Sequence, residues 1–175
     1  MKFTQRSWFA AGAAAALSAC SGGGGDGAGS PGAGTGTLSV ALMDAPVDGV
    51  TNVFVEIAAI SVKPAGGPPT ELALANAPVT VDLLELTDEN AAVLIDGAVL
   101  PAGDYQWLEM DVNAAHDGVF DSYAVRMDGG QYEIRVPSGR VRLVGGFEVG
   151  ANEAVRFLFD WDVRKGLVDP PGLPG

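Results

Sequence analysis

The sequence has almost no cysteine and almost no histidine, with one residue of each, Cys20 and His116. A single cysteine excludes a disulfide within the chain. Basic residues are also few. The chain has 10 Lys and Arg and 22 Asp and Glu, which gives a formal net charge of −12. The phosphate backbone of nucleic acid demands a basic surface, so the charge excludes nucleic acid as a partner.

Motifs that would indicate an enzyme are missing as well. The chain contains neither a Gly-x-Ser-x-Gly nucleophile motif nor a His-Glu-x-x-His metal motif. His116 lies in a loop-like stretch and has no evident nucleophile beside it. We therefore predict a solvated loop histidine and a protein that is not an enzyme, with a hydrolase built from scattered acidic residues as the least favoured alternative.

No apolar run is long enough to span a membrane. The run from Trp8 to Ala19 has 12 residues, whereas a spanning helix needs roughly 20. It follows Lys2 and Arg6 and ends in small residues, which is typical of a signal peptide over 1–19. The alternative kept open is an ordinary secretory signal that happens to end at a cysteine.

The sequence Leu17-Ser18-Ala19-Cys20 resembles the lipobox of bacterial lipoproteins. This resemblance implies that Cys20 is acylated, so that the protein is held on a lipid bilayer of the bacterial cell envelope. Ser21 follows the cysteine where an aspartate would indicate inner-membrane retention, which implies the outer membrane. Once residues 1–19 are removed, the formal charge of the chain becomes −14, because Lys2 and Arg6 leave with them.

Residues 20–36 comprise the cysteine and a stretch of Gly, Ala, Ser, Pro and Thr with one aspartate, Asp26. Such a composition cannot bury enough apolar surface to fold, so it predicts a disordered linker that spans about 20 to 25 Å.

Residues 37–165 show the alternation of apolar and polar residues that is typical of short β-strands. A bulge is expected at Ala58-Ala59 and a hairpin across Asp128-Gly129-Gly130-Gln131. One short helix is expected over 88–95. The fold class predicted is all-β, one antiparallel β-sandwich domain, followed by a Pro- and Gly-rich tail over 166–175.

A series of short motifs follows in order along the predicted domain. They are Thr37-Leu38-Ser39-Val40, Asp44-Ala45-Pro46, Val81-Asp82-Leu83-Leu84, Leu100-Pro101-Ala102-Gly103 with Tyr105, Val136-Pro137-Ser138-Gly139, and Phe159-Asp160 with Asp162 and Lys165. Over roughly residues 36–166 this series resembles the domain-of-unknown-function 4382 family. The resemblance implies a bacterial lipoprotein or secreted protein with a prealbumin-like or carbohydrate-binding-like, Greek-key type β-sandwich, and it implies no catalytic residue. The chain departs from the family at Arg140-Val141-Arg142-Leu143, and at its end, where a further strand is usual.

Two sets of residues are candidates for a site. Tyr105 and Trp107 share a strand face with Glu109 and Asp111, so both rings are candidates for an exposed platform that binds a glycan or a protein. Packing at an edge or in a second core is the favoured alternative.

Asp160 and Asp162 alternate with apolar residues on the last strand, and with Asp44, Asp82 or Asp111 they could hold calcium. Ion pairs with nearby basic residues or turn capping are the favoured interpretation, in which case no cofactor is bound. The basic residues considered are Arg135, Arg142, Arg164 and Lys165.

The sequence thus predicts an envelope-anchored lipoprotein whose non-catalytic β-sandwich binds an unknown glycan or protein. A structural component of the envelope is the alternative.

Overall fold

The computed structural model describes residues 2–5, 34–44, 49–74, 76–86 and 90–161. Within these ranges the chain forms strands and one 3₁₀ turn at Leu83–Glu85. None of the described segments forms a helix long and apolar enough to cross a membrane. The strands are β1 (Lys2–Gln5), β2 (Thr35–Asp44), β3 (Val50–Pro64), β4 (Thr70–Leu72), β5 (Val79–Asp82), β6 (Ala92–Pro101), β7 (Gly103–Asn113), β8 (Tyr123–Arg126), β9 (Gln131–Glu133), β10 (Arg140–Leu143), β11 (Phe147–Val149) and β12 (Ala154–Trp161).

The strands form two sheets, which confirms the all-β sandwich prediction. The first sheet has the order β1-β12-β2-β6, and the second sheet contains the other eight strands. Among the described pairs, only β2 and β12 run parallel, so the sandwich is antiparallel except at this pair.

The long strand β3 is the centre of the second sheet. Ile57 pairs with both β5 and β7, and Phe54 pairs with both β5 and β8. Each residue of a strand has two lateral neighbours, so β5 lies along one edge of β3 while β7 and β8 follow each other along the other edge. The segment 114–122 leaves the sheet between β7 and β8.

The core lies between the two sheets and follows the alternation of the sequence. Val53, Val55 and Ile57 of β3 are buried, and so are Leu38 and Phe159 of the first sheet. Alternate side chains of a strand point to opposite faces, so Phe54 and its alternates lie on the face turned away from the first sheet. We call this the outer face of the second sheet.

The start of β2 is fixed to one end of the sandwich. The carbonyl groups of Gly34 and Thr35 accept hydrogen bonds from Ala102 and Asn152. Val149 pairs with Gly103 at this same end. The residues that precede the domain therefore join it beside the β6–β7 and β11–β12 turns.

Several local predictions are confirmed. The hairpin forms between β8 and β9, with Tyr123 opposite Glu133. The register of β3 shifts between Ile57 and Ala59, at the predicted bulge.

The helix expected over 88–95 is wrong, because residues 92–95 belong to β6 and pair with β2. The run Ala92-Val93-Leu94-Ile95 suits a helix and a strand equally, and pairing with β2 decides for the strand.

The described residues include only part of the segments predicted at the two ends of the chain. β1 lies within the predicted signal peptide and pairs with β12. Cys20, the linker up to residue 33, Asp162 and the tail 166–175 lie outside the described residues. The sandwich itself begins at Thr35, two residues before the predicted boundary.

Candidate functional site

Tyr105 does not share the face of Trp107, Glu109 and Asp111, on which the alternation placed it as a candidate platform ring. Its side chain is only 3% exposed, stacks on Phe147 at 5.0 Å between ring centroids, and donates a hydrogen bond to the carbonyl of Pro101. The register explains the error. Trp107 pairs with Lys63 but Tyr105 pairs with Pro64, so Gln106 is an extra residue and the strand changes face there. Tyr105 thus faces the core while Trp107 faces outward.

Trp107 lies on the outer face but is not open. The guanidinium of Arg142, on the neighbouring strand β10, lies 4.3 Å from the centroid of its ring. Arg142 also binds Glu109 through two nitrogens at 2.5 and 2.6 Å. A ligand that stacks on Trp107 would have to displace this arginine. The half-buried ring therefore packs against Arg142 and is not open to a ligand.

Glu109 is the buried acid of this face, at 6% exposure. Arg142 is its close partner, and Arg140 approaches Glu109 and Asp111 at 3.9 Å each. A buried carboxylate needs such compensation because its loss of water is costly. The sequence predicted an aspartate as the partner of Arg142, whereas its close partner is Glu109.

Ser122 holds the strands together where segment 114–122 leaves the sheet. Its buried hydroxyl accepts a hydrogen bond from the backbone nitrogen of Glu56 at 2.9 Å and donates one to the carbonyl of Asn113 at 2.7 Å. The side chain thereby links β3 to the end of β7 at the point where the edge of β3 passes from β7 to β8.

His116 does have a partner, although its side chain is 72% exposed. Its Nδ1 lies 2.9 Å from the carboxylate of Glu133, which also accepts hydrogen bonds from the backbone nitrogens of Asp117 and Gly118. Ser138, a hydroxyl on the nearby turn, instead bonds to the backbone of Arg140. The described residues therefore show a clamped loop and no His-activated nucleophile.

Three aromatic residues meet on the outer face beside this loop. Phe54 and Tyr123, which are cross-strand neighbours, have centroids 4.9 Å apart, and Phe120 meets Tyr123 edge-on at 6.0 Å. Phe120 is 46% exposed. We call Phe54, Phe120 and Tyr123 the aromatic cluster. Sequence analysis did not find it, because its members come from β3, from β8 and from the loop between β7 and β8.

A cleft of about 650 Å³ is lined in part by residues of the same loop. Segments 112–117 and 135–139 form its walls together with Asp121. His116, Asp117, Asp121 and Arg135 give it acidic and basic hydrogen-bonding groups side by side. Since Phe120 is adjacent to Asp121 in the loop, one loop presents both an apolar ring and a polar cleft.

Of the aspartates considered for calcium, Asp162 and the side chain of Asp44 lie outside what the structure describes. Asp160 belongs to the first sheet, whereas Asp82 and Asp111 belong to the second. Asp82 already accepts hydrogen bonds from Asn52, Val53 and Leu84. Across the part of the chain that the structure describes, no three His, Cys, Asp or Glu side chains form a group that could hold a metal ion.

The family model named domain of unknown function DUF4382 matches residues 35–173. No curated protein and no solved structure matches the chain. The matched range starts at the first residue of β2, where the sandwich begins.

Proposed function

The chain belongs to the DUF4382 family, and we propose that it is a lipoprotein of the bacterial envelope whose sandwich is a non-catalytic module that binds a neutral glycan. The lipid is attached at Cys20, and residues 21–33 connect it to the domain. The observation that carries the binding proposal is the loop that presents Phe120 beside a polar cleft.

The position of the cluster supports this role. The preceding chain joins the sandwich at the end that contains Gly103 and Val149. Phe54 lies ten residues along β3 from Pro64 at that end, which is about 33 Å at the rise of a strand. The aromatic cluster is therefore far from the point of anchoring, and on the outer face it stays open to solvent.

The chemistry of the loop favours a neutral sugar. The C–H face of a sugar ring is apolar and packs on an aromatic ring such as that of Phe120. Hydroxyl groups of the next sugar units would bond to Asp121 and Arg135 in the cleft, as polar groups fix a ligand in most pockets. A formal charge of −14 after removal of residues 1–19 disfavours anionic polymers.

The test uses the processed lipoprotein in detergent, titrated with three neutral oligosaccharides, cellohexaose, chitohexaose and laminarihexaose. We expect binding to at least one of these, and a loss of roughly tenfold in affinity for Phe120→Ala, which corresponds to about 1.4 kcal/mol. The melting temperature should stay nearly unchanged because this ring is exposed.

Trp107→Ala is the matched control, because Trp107 lies on the same face under Arg142. An equal loss of affinity in this variant would indicate that Trp107 belongs to the binding site. Absence of binding to all three probes would contradict the glycan proposal and leave a structural role in the envelope.

Lipidation is tested separately. Cells fed radiolabelled palmitate should label the wild-type chain and not Cys20→Ala. A labelled Cys20→Ala chain, or an unlabelled wild type, would contradict the anchor while leaving the binding test intact.

A further inference from the structure

The outer edge of β12 is the one place where the described sandwich is completed by a segment that processing would remove. β1 pairs antiparallel with β12 through four residues, with Lys2 opposite Asp160 and Phe3 opposite Phe159. β1 lies within the predicted signal peptide, so this inference rests on the proposed processing at Cys20. Cleavage removes β1, and no other described strand pairs with β12 along that edge. Such an open edge is a template for another strand.

The sequence of β12 can itself replace β1. In an antiparallel pair of two β12 strands centred on Leu158, Arg156 of one copy lies opposite Asp160 of the other, and Phe157 lies opposite Phe159. Lys2 and Phe3 of β1 hold these same positions opposite Asp160 and Phe159. The run Arg156-Phe157 therefore repeats the cation and the aromatic residue of the strand that it would replace.

The charges of the edge support a symmetric pair. In the described part of the chain, neither Arg156 nor Asp160 has an ion-pair partner. A twofold axis through Leu158 would place Arg156 of each copy opposite Asp160 of the other, so the pair forms twice, once on each side of the axis. Opposite charges directly across a strand pair are favourable, and the same patch serves both copies.

We propose that the processed protein forms a homodimer through antiparallel pairing of β12 with β12 of a second copy. The first sheet then continues across the axis as β6-β2-β12-β12-β2-β6. Anchoring of both copies on one membrane raises their effective concentration, which favours this pairing.

The geometry of the dimer gives the proposed binding module two sites. Strands paired edge to edge keep the same face of the sheet on the same side, so the outer faces of both second sheets point in one direction. The two copies of β2 run antiparallel, so the anchoring chains start at opposite ends. Residues 21–34 span about 20 Å on average for their composition, which lets both chains reach one bilayer with the strands lying along it. The dimer thus presents two aromatic clusters away from the membrane.

A cysteine at position 158 tests the register. Opposite residues of antiparallel strands have Cα atoms about 4.5 to 5.5 Å apart, within the range that a disulfide bridges. The full chain carrying Leu158→Cys is expressed in bacteria, and the isolated membranes are oxidised. We expect most of the protein as a disulfide-linked dimer, because Leu158 lies opposite itself.

Arg156→Cys is the control on the same strand and the same face. Its counterpart in the second copy lies four residues along the strand, about 13 Å away, so it should give no crosslinked dimer. Equal crosslinking by both variants would show random collision and would overturn the proposal. So would a processed Leu158→Cys chain that stays monomeric, as it would if the C-terminal residues fold back over the edge.

Charge exchange gives a second measurement. With Leu158→Cys present, Arg156→Asp should abolish most of the crosslinked dimer, and the double change Arg156→Asp with Asp160→Arg should restore it. Restoration also shows that both positions tolerate the substitutions. If the double change fails to restore a dimer that the single change has abolished, the twofold pairing is wrong.

Two further chains, both carrying Cys20→Ser and Leu158→Cys, separate this inference from the proposed processing. The first is otherwise the full chain and keeps its signal peptide, so β1 should block crosslinking through the thiol at position 158. The second starts at position 20 behind a standard cleavable secretory signal, so it lacks both β1 and the lipid, and its thiol at position 158 should crosslink. If this second chain forms no crosslinked dimer, the inference is overturned, whether or not Cys20 is processed in the wild type. If the second chain forms the dimer but the wild type is not processed at Cys20, only the lipoprotein proposal is contradicted.

Discussion

The guanidinium of Arg142 lies 4.3 Å from the ring centroid of Trp107 and at the same time binds the buried carboxylate of Glu109. One side chain therefore covers an aromatic ring and compensates an acid. We expect Arg142→Ala to lower the free energy of unfolding by about 1 to 2 kcal/mol, between the values for exposed and buried ion pairs. Urea unfolding measures the loss, and the fluorescence of Trp107 should shift to longer wavelength in the folded state.

Arg140→Ala is the matched control, because Arg140 approaches Glu109 only at 3.9 Å. Its loss should stay below about 1 kcal/mol. Equal losses from the two variants would mean that Glu109 is not held mainly by Arg142.

Ser122→Ala should destabilise the sandwich although it removes a single oxygen atom. The hydroxyl satisfies the nitrogen of Glu56 and the carbonyl of Asn113, and a buried backbone group without a partner costs about 1 to 3 kcal/mol. We expect a fall of that size in the free energy of unfolding. Ser138→Ala, on an exposed turn, should change it by less than about 0.5 kcal/mol. A Ser122→Ala variant as stable as Ser138→Ala would rule out this bridging role.

Tyr105 should make stability fall in alkaline solution. Burial raises the pKa of its phenol above the ordinary value of 10.0. The unfolded chain therefore ionises Tyr105 first, so its contribution to stability is complete below the ordinary pKa and is lost as pH rises through the folded pKa. Tyr105→Phe should lose about 1 kcal/mol at neutral pH with the hydrogen bond to Pro101, but its stability should fall less between pH 9 and 11.

Chemical unfolding of both proteins across this pH range gives the comparison. The two proteins differ only at position 105, so the contributions of all other groups cancel in the difference. Parallel pH curves would show that Tyr105 ionises equally in the folded and unfolded chains.

Calcium should not stabilise the domain. Asp82 is engaged by three donors and lies in a different sheet from Asp160, so six to eight oxygen ligands are not gathered there. We expect the same melting temperature in 5 mM calcium and in EDTA. A ligand at 100 times its dissociation constant would add about 2.7 kcal/mol, so a rise of several degrees would reveal a site that involves residues beyond 161.

The strand pattern was predictable because burial on one face imposes alternation on the sequence. Val53, Val55 and Ile57 show this, and so does the change of parity at Ala58-Ala59, where two small residues mark the bulge. The hairpin before Gln131 was predictable from its two glycines.

The face of Tyr105 was not predictable in the same way. The bulge at Gln106 arises opposite Pro64, a residue without an N–H to continue the ladder, and the sequence does not say that Pro64 is the partner. The aromatic cluster and the pairing of Arg142 with Glu109 were missed for the same reason. Each joins residues of different strands, and only the register brings them together.

The fixing of Thr35 at the start of β2 has a mechanical consequence. β2 lies between β6 and β12 and pairs with one or both from Thr35 to Asp44. A pull on the residues that precede Thr35 acts along β2. The force therefore loads the hydrogen bonds to β6 and β12 at the same time, in shear, so they do not break one after another. A domain held at a membrane while its far end grips a fixed polymer would meet such a pull whenever the two surfaces separate. Force spectroscopy should find a higher unfolding force when the chain is pulled between residue 34 and the β8–β9 turn than when β8 and β9 are pulled apart.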